Sequence, residues 1–220
     1  MVDFLSLDLP GLASALVFGL LIFLFGGPFG PFFLMTIIYF LVLSFIVTRF
    51  GSEKKRKLGV YERSRGWRNV FANGIVPLIG SVAYAFDLSY NFVPVKFLII
   101  AYVASVAAIT ADKFASELGV LDGQPIMLLT LKPAKKGMSG GVTWLGLLMS
   151  FVAALLIGMV LLSYGSYRLI LLVAVAGLFG SVVDSLLGYF EENGFGNKFT
   201  TNIGCAVAGW AISILLLLIF

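Results

Sequence analysis

Long apolar runs alternate with short polar segments along the whole chain. A membrane-spanning helix needs about 20 mostly apolar residues, and seven runs approach that length. They predict spans at about 11–26, 31–49, 70–86, 94–111, 143–163, 168–189 and 203–220. The pattern therefore predicts an all-α, polytopic transmembrane helix bundle that forms a single integral-membrane domain over residues 1–220.

Composition agrees with this interpretation and removes several kinds of chemistry. The chain is 60% hydrophobic and 12% charged, whereas soluble domains are about 45–50% apolar and about 25% charged. Histidine is absent and Cys205 is the only cysteine. This excludes disulfides, iron–sulfur clusters, histidine-based catalytic triads and zinc sites built on His or Cys. Any metal ion must be bound by oxygen ligands.

The basic residues predict the orientation in the membrane. With these spans, thirteen of the fifteen Lys and Arg residues fall on one side, and only Lys96 and Arg168 fall on the other. The positive-inside rule then makes the thirteen-residue side and the N-terminus cytoplasmic. Lys54–Lys57 is interpreted as an orientation signal that contacts anionic lipid. The net charge of +4 therefore reports topology, and no nucleic-acid partner is expected. The polar motifs also concentrate on this side, which favours a membrane enzyme over a transporter with a polar midplane path.

The fourth span ends in two carboxylates, and their spacing allows two interpretations. Asp112 and Ser116 share a helix face, while Glu117 is about 140° away and stacks over Lys113. One interpretation is an interfacial helix end with a Lys113–Glu117 pair. The other makes Asp112 a metal or phosphate ligand, with Glu117 reaching the same site from the last turn.

The sixth span contains one small and polar stripe formed by Gly177, Ser181, Asp184, Ser185 and Gly188. Close helix packing explains the glycines and serines, but it does not explain a carboxylate. An ionisable group inside a span costs roughly 2.5–3.5 kcal/mol and usually marks a functional site. Asp184 is therefore the strongest single candidate.

Three connections on the predicted cytoplasmic side carry further candidates. Lys135 and Lys136 precede the turn Ser139-Gly140-Gly141, which is typical either of a phosphate cradle or of a basic topology signal. Around the third span, Arg65, Asn69 and Asn73 recur every four residues, with Arg68 beside them. The segment from Glu191 to Asn202 is interpreted as a solvated turn, with Asn202 capping the last helix. All of these residues are read from the sequence.

Four motifs taken together resemble an integral-membrane family catalogued as domain of unknown function 92, which includes a plant phytyl-phosphate kinase and uncharacterised animal transmembrane proteins. They are RNVFANG at 68–74, ADKFASELG at 111–119, SGGVTWLG at 139–146 and GSVVDSLLG at 180–188. The resemblance implies phosphorylation of a polyprenyl monophosphate to the diphosphate by a nucleoside triphosphate. The family's polar pattern falls on Arg68, Asn69, Asn73, Asp112, Ser116, Glu117, Ser139, Gly140, Asp184, Ser185 and Asn202.

This chemistry agrees with the residues present. Transfer onto a phosphate needs no general base, because the attacking oxygen is already ionised. Mg²⁺ prefers carboxylates and phosphates, so Asp112, Glu117 and Asp184 are the predicted metal-binding and catalytic residues. The predicted substrate- and nucleotide-binding residues are Arg65, Arg68, Asn69, Asn73, Ser116, Lys135, Lys136, Ser139, Gly140, Gly141, Ser181, Ser185 and Asn202.

Several alternatives stay open at this point. The donor is CTP or ATP, and a homodimer is one candidate for the oligomeric state. A CTP-dependent cytidylyltransferase acting on a lipid phosphate would use the same nucleophile and metal ion. A non-enzymatic carrier of isoprenoid or lipid phosphates would bind the same headgroup without consuming nucleotide. In a prokaryote the predicted location is the cell membrane, in contact with its lipids and with the active face in the cytoplasm.

Overall fold

The computed structural model describes residues 6–62 and 64–219. Arg63, one of the thirteen basic residues of the predicted cytoplasmic side, lies outside these ranges. So do residues 1–5 and Phe220, the last residue of the seventh predicted span. The described helices are α1 (Leu9–Phe25), α2 (Gly30–Arg49), α3 (Ser52–Lys57), α4 (Trp67–Tyr90), α5 (Val95–Gly119), α6 (Trp144–Gly158), α7 (Tyr167–Glu192) and α8 (Lys198–Ile219).

Two short helical segments and a small β-ribbon complete the described elements. A 3-10 turn at Gly27–Phe29 joins α1 to α2, and a second at Met159–Tyr164 extends α6. The strands β1 (Ile126–Met127) and β2 (Gly141–Val142) pair antiparallel within the α5–α6 connection. The ribbon fastens the glycine-rich turn to the rest of this connection.

The prediction of an all-α, polytopic membrane protein is confirmed. Among the described residues, six helical segments are long and apolar enough to cross a bilayer, and α1 is a shorter apolar helix. At 1.5 Å per residue, its 17 residues extend about 25 Å, slightly less than the hydrocarbon thickness of about 30 Å. The cytoplasmic placement of the N-terminus stays a prediction.

The outer surface of the bundle is apolar, as a lipid environment requires. Leu16, Leu148, Leu171 and Leu215 are each more than half exposed. Contiguous exposed apolar surface on this scale would make a soluble protein aggregate. In a bilayer the same surface faces acyl chains.

Small residues allow the central helices to approach one another closely. Helix α5 packs against α2, α4, α6, α7 and α8, and its window of highest hydropathy is the most buried of the six. A Cβ atom added to Gly180 or to Gly209 would lie about 2.5 Å from the Cβ of Ala108. Gly177 of the α7 stripe is equally close to its neighbours, since a Cβ there would lie 2.7 Å from the Cβ of Ala154. Packing alone therefore explains this glycine, and the close approach brings the polar ends of α5, α7 and α8 together.

The start of α8 corrects one prediction. The helix begins at Lys198, five residues before the predicted boundary, because Asn197 is its N-cap. The Asn197 Oδ1 accepts hydrogen bonds from the backbone N–H groups of Phe199 (3.0 Å) and Thr200 (3.2 Å). Asn202 therefore lies inside the helix, and its predicted role as a cap is wrong.

Candidate functional site

Asp112 and Asp184 share one ammonium group at the polar end of the bundle. The Lys198 Nζ lies 3.0 Å from the Asp184 Oδ2 and 3.9 Å from the Asp112 Oδ2. Asp112 lies on α5, Asp184 on α7 and Lys198 on α8. The close packing of these three helices brings the side chains together. The Asp184 side chain is 4% exposed, whereas that of Lys198 is 49% exposed. We call these three residues the aspartate cluster.

Buried oxygens without partners lie at or near this cluster. The Asp184 Oδ1 and the Asn202 Oδ1 are both buried without a hydrogen-bond donor in the described structure. An unsatisfied buried acceptor costs roughly 1–3 kcal/mol, and more if the group is charged. Both oxygens are therefore available to a cation or to a donor group that enters the site.

Glu117 lies in a separate cluster, in which three cations surround one carboxylate. Its oxygens accept from the Lys55 Nζ (2.6 Å), the Arg65 Nη2 (3.1 Å) and the Lys113 Nζ. The Thr48 hydroxyl donates to the same carboxylate at 3.2 Å. The Lys113–Glu117 pair suggested by the i,i+4 spacing is confirmed. We call Glu117 with its three cations the glutamate cluster.

Lys55 is the most unexpected member of this cluster. Its side chain is 1% exposed, and its Nζ also donates to the carbonyl oxygens of Val47 (3.0 Å) and Thr48 (2.8 Å). These carbonyls belong to the last turn of α2, where a cation satisfies acceptors that have no helical partner. The predicted lipid contact is therefore wrong for Lys55, since a buried side chain cannot reach a headgroup.

The beginning of α1 positions Arg65. Asp8 caps α1 through a 2.7 Å hydrogen bond from the Gly11 backbone N–H to its Oδ1. The Asp8 backbone N–H donates to the Arg65 carbonyl at 3.1 Å. A Cβ on Gly11 would lie 2.6 Å from that carbonyl. Arg65 thus precedes α4 rather than belonging to it. Asn69 and Asn73 lie on the helix, where the Asn73 Nδ2 donates to the Asn69 Oδ1 at 3.2 Å.

The glycine-rich turn binds carboxylates of the same chain. The Ser139 backbone N–H donates to the Glu192 Oε1 at 2.8 Å, and the Ser139 hydroxyl donates to the Glu191 Oε2 at 2.9 Å. Gly140 has φ +80°, and a Cβ on Gly188 would lie 2.4 Å from its nitrogen, so the turn rests directly on α7. The connection from Asn193 to Asn197 is exposed, as predicted for a solvated turn, whereas Glu191 and Glu192 end α7 and also bind Ser139.

The two lysines before this turn have different surroundings. The Lys136 Nζ donates to the carbonyl oxygens of Val120 (3.2 Å) and Asp122 just beyond the end of α5. Lys135 is exposed and lines the adjoining cavity. Arg68 lies over the Trp67 ring, 5.5 Å from its centroid, rather than beside the aspartate cluster. These placements separate basic residues that are predicted together from the sequence as substrate- and nucleotide-binding residues.

The predicted serines mostly make local hydrogen bonds. The Ser116 hydroxyl donates to the Lys113 carbonyl (3.1 Å), and the Ser185 hydroxyl donates to the Ser181 carbonyl (3.3 Å). The Ser181 Oγ lies 3.3 Å from the Ser150 Oγ across the α6–α7 contact. Ser116, Ser181 and Ser185 nevertheless line the same cavity as the aspartate cluster.

Two cavities meet at Asp112, Ser116 and Lys198. The loop cavity, of about 290 Å³, extends from there to Lys135, Ser139–Gly141, Glu191 and Glu192. The cationic cavity, of about 390 Å³, extends to Arg65, Asn69, Asn73, Lys113 and Glu117. A third space of about 690 Å³, the aromatic cavity, adjoins Lys198 and Asn202 and is bounded by Trp67, Arg68, Phe71 and Phe199.

The residues at the aspartate cluster fit a magnesium ion bound in part by substrate. In residues 6–62 and 64–219, no three acidic or cysteine side chains come close enough to hold an ion together. Mg²⁺ is usually held by one or two carboxylates together with substrate phosphates and water. Asp112 and Asp184, with the free Oδ1 of Asp184, meet that requirement. Glu117, predicted as a third ligand, is not brought to them because its oxygens contact the three cations.

Lys198 and Lys55 are the functional candidates that sequence reasoning missed. For Lys198 a signal existed, because Asn197 followed by an apolar run is typical of a helix N-cap and places the lysine in the first turn. For Lys55 no local signal distinguishes it from the neighbouring Lys54, Arg56 and Lys57. Its burial depends on packing against α2 and α5.

Residues 2–215 match the model of the protein family described as "Integral membrane protein DUF92". An uncharacterised membrane protein of Methanocaldococcus jannaschii is 31% identical over 96% of this chain and 85% of its own. The protein named PGR of Arabidopsis thaliana is 33% identical over 83% of this chain and 71% of its own. An uncharacterised membrane protein of Synechocystis is 30% identical over 90% of this chain and 80% of its own. No solved structure matches.

Proposed function

The chain belongs to the integral membrane protein family DUF92, and from that premise we propose that it is a membrane phosphotransferase. It moves a phosphoryl group from a nucleoside triphosphate to a polyprenyl monophosphate. The products are a polyprenyl diphosphate and a nucleoside diphosphate. The substrate class follows from the family resemblance, and the arrangement of charge around Asp112 and Asp184 supports it.

The observation that carries the proposal is the meeting of two cavities at the aspartate cluster. Each cavity is large enough for a phosphate group and has cationic side chains, and Asp112 and Lys198 border both. Two phosphorylated substrates bound on opposite sides would face each other there. Holding two reactants in this way supplies much of the rate enhancement that phosphoryl transfer requires.

The transfer step needs no base from the protein. An ionised oxygen of the acceptor monophosphate attacks the γ-phosphorus of the donor. The bond between that phosphorus and the β–γ bridging oxygen breaks, and the electron pair leaves with the nucleoside diphosphate. No proton moves in this step, in keeping with the absence of histidine. The Lys198 ammonium, 3.0 Å from Asp184, neutralises charge on the phosphoryl oxygens between the two substrates.

Asp112 and Asp184 are the residues that would hold Mg²⁺, with the donor phosphates completing its ligands. When bound, this ion neutralises phosphate charge and orients the donor. Asp184 is fixed for that role by its burial and by the close packing of α7 on α5 and α8. Ser181 and Ser185 extend the same α7 face toward the loop cavity.

The test supplies purified protein with Mg²⁺, CTP or ATP labelled at the γ-phosphate, and a panel of prenyl monophosphates. The expected result is label in the prenyl diphosphate and one nucleoside diphosphate released for each product formed. Release of pyrophosphate with nucleotide retained on the lipid would identify a cytidylyltransferase instead. Binding of prenyl phosphate without nucleotide consumption would identify a carrier. Either outcome overturns the proposal.

We also propose that the site faces the cytoplasm of a prokaryotic cell, where nucleoside triphosphates are available. In a Cys205→Ser background, a Ser52→Cys variant should resist an impermeant thiol reagent added to intact cells. The same cysteine should react after the cells are permeabilised. Labelling in intact cells would place the α3 end of the bundle outside and overturn the orientation.

A further inference from the structure

A small cavity of about 60 Å³ lies between α1, α2 and α4. Its inner walls are apolar and include Ala15, Phe18, Ile22, Ile37 and Leu41. The aspartate cluster does not border it, and the loop cavity shares no lining residue with it. The aromatic cavity shares only Asn69 with it among the described residues. We call this cavity the slot.

The slot adjoins the cationic cavity. Phe40, Arg65, Asn69 and Asn73 border both spaces. Arg65 and the two asparagines therefore form a polar boundary between a charged space and an apolar one. A ligand that extends through this boundary must have an anionic head and an apolar tail.

Small side chains keep the slot open. Ala15 lies on α1, Ser44 on α2 and Gly74 on α4, so each of the three helices contributes one. A Cβ on Gly74 would lie 2.7 Å from the Phe18 ring, which shows how little extra volume these walls tolerate. Because the space is small, it accommodates only the part of an apolar chain that is nearest to the head.

The charge beside the slot favours a bare phosphate. In the glutamate cluster three cations share one carboxylate, and the side chains of Lys55, Lys113 and Glu117 are nearly buried. A second carboxylate, that of Glu62, lies 3.4 Å from the Arg65 Nε and is 62% exposed. Excess buried positive charge is costly unless an anion compensates for it.

The loop cavity is more acidic than the cationic cavity, which is bordered by three carboxylates (Glu62, Asp112 and Glu117) and three cations (Arg65, Lys113 and Lys198). Four carboxylates border the loop cavity, from Asp112, Asp184, Glu191 and Glu192, against the two lysines Lys135 and Lys198. A free phosphate would be repelled there, whereas a polyphosphate that brings a divalent cation would not. The two cavities therefore suit different substrates.

We propose that the slot and the cationic cavity together form the binding site of the lipid acceptor. The acceptor's phosphate lies near Arg65 and Lys113, and the start of its first isoprene unit lies in the slot between α1, α2 and α4. The metal-bound donor nucleotide occupies the loop cavity. This assignment rests on the proposed function and names the site of one substrate within it.

The first experiment measures equilibrium binding, so that turnover is not required. Ala15→Phe and Ser44→Leu fill the slot from opposite walls, and each should weaken binding of geranylgeranyl monophosphate by about tenfold. Binding of the Mg²⁺–nucleotide complex should stay within about twofold. Leu16→Phe is the matched control, because this residue is next to Ala15 and 67% exposed to lipid. It should bind both ligands as wild type does.

The second experiment uses the wild-type protein, so it does not depend on any variant folding. A prenyl monophosphate with a photoreactive diazirine in its first isoprene unit is crosslinked, and the labelled peptides are identified. Labelling within α1 or α2 is expected. Labelling confined to Phe71 or Phe199 would place the chain in the aromatic cavity and overturn the assignment, as would unchanged prenyl phosphate binding in both filled variants.

These measurements separate the assignment from the proposed function. Wild-type protein that binds and crosslinks the prenyl phosphate in the slot, yet never transfers phosphate, would overturn the kinase activity and leave the binding site standing. Turnover together with crosslinking outside the slot would overturn the binding site and leave the kinase activity standing. No detectable binding of prenyl monophosphate by the wild type would overturn both.

Discussion

Asp112 and Glu117 lie five residues apart near the end of α5, yet their surroundings carry opposite net charge. Asp112 shares one ammonium with a second carboxylate, which leaves the aspartate cluster with a net charge of −1. Glu117 alone faces three cations, which leaves the glutamate cluster at +2. The first cluster lacks a cation and the second lacks an anion.

The helix itself accounts for this difference. Successive residues of α5 turn by about 100°, so the two acids face different neighbours. Asp112 faces α7 and α8, whereas Glu117 faces the end of α2, the short helix α3 and the segment before α4. In the proposed function, the two clusters provide a metal-binding side and a phosphate-binding side that lie next to each other. The following predictions test this division, from the largest expected effect to the smallest.

Glu117→Gln should destabilise the protein most, because it leaves three cations without a carboxylate. Removing one partner of a buried ionic group typically costs about 3–5 kcal/mol. The measurement is the free energy of unfolding in detergent. Glu62→Gln is the control, since this side chain is 62% exposed and should change stability by less than about 1 kcal/mol. Similar values for both variants would show that Glu117 does not hold this end of the bundle together.

Asp184→Asn should preserve the fold and lower turnover by about 10²-fold, because it removes a charge while keeping the shape of the side chain. The measurement is kcat across a Mg²⁺ titration. Asp122→Asn provides a matched change at the same end of the bundle, because the Asp122 side chain accepts just one hydrogen bond from the described residues, a 3.4 Å contact with the Leu145 backbone N–H. Near-normal kinetics in Asp184→Asn would remove the metal-binding role from the aspartate cluster.

Lys198→Met should lower the Mg²⁺ concentration needed for half-saturation by about tenfold, since the ammonium competes for the same carboxylate oxygens. Where turnover is too weak to follow, Mn²⁺ binding monitored by electron paramagnetic resonance gives the same information. Lys132→Met removes an equal charge from an exposed position and should leave the requirement unchanged. An increased Mg²⁺ requirement in Lys198→Met would show that the lysine assists metal binding rather than opposing it.

Lys135→Gln should raise the donor KM by about two- to fivefold, an effect typical of one exposed charge. The effect should shrink as salt is added, because exposed charges are screened over roughly 8–10 Å. Its neighbour Lys136 supplies the comparison, since its ammonium donates to the Val120 and Asp122 carbonyls. Lys136→Gln should therefore change stability more than donor KM, and equal effects on donor KM would contradict this division.

Much of the fold could be predicted from the sequence. The spacing of apolar runs identified the helices, and the distribution of Lys and Arg placed the polar motifs at one end of the bundle. The contacts of Glu117, Asp184 and Ser139 across different connections agree with that common end. Helix boundaries were less accurate, because α5 continues eight residues beyond its predicted end and α8 begins earlier than predicted. Polar residues end a hydropathy signal without ending a helix.

The candidate site could be predicted only in part. The isolated carboxylate in an apolar helix drew attention to Asp184, and the face it shares with small residues indicated close packing. The partners of that carboxylate could not be inferred, because Lys198 follows fourteen residues later on another helix. The Glu117 partners Lys55 and Arg65 are still farther away in the sequence.

The sequence by itself determined that this is a helical membrane protein, since burial of an apolar surface in lipid depends on the local composition and on the length and spacing of the apolar runs. It also determined which residue types are present to bind a metal ion or a phosphate. Only the tertiary structure decided that Asp112 joins Asp184, that Glu117 joins three cations, and that Lys55 is buried rather than exposed to lipid headgroups. The physical reason is that charge pairing depends on distances of a few ångströms between side chains, and those distances are set by how separate helices pack.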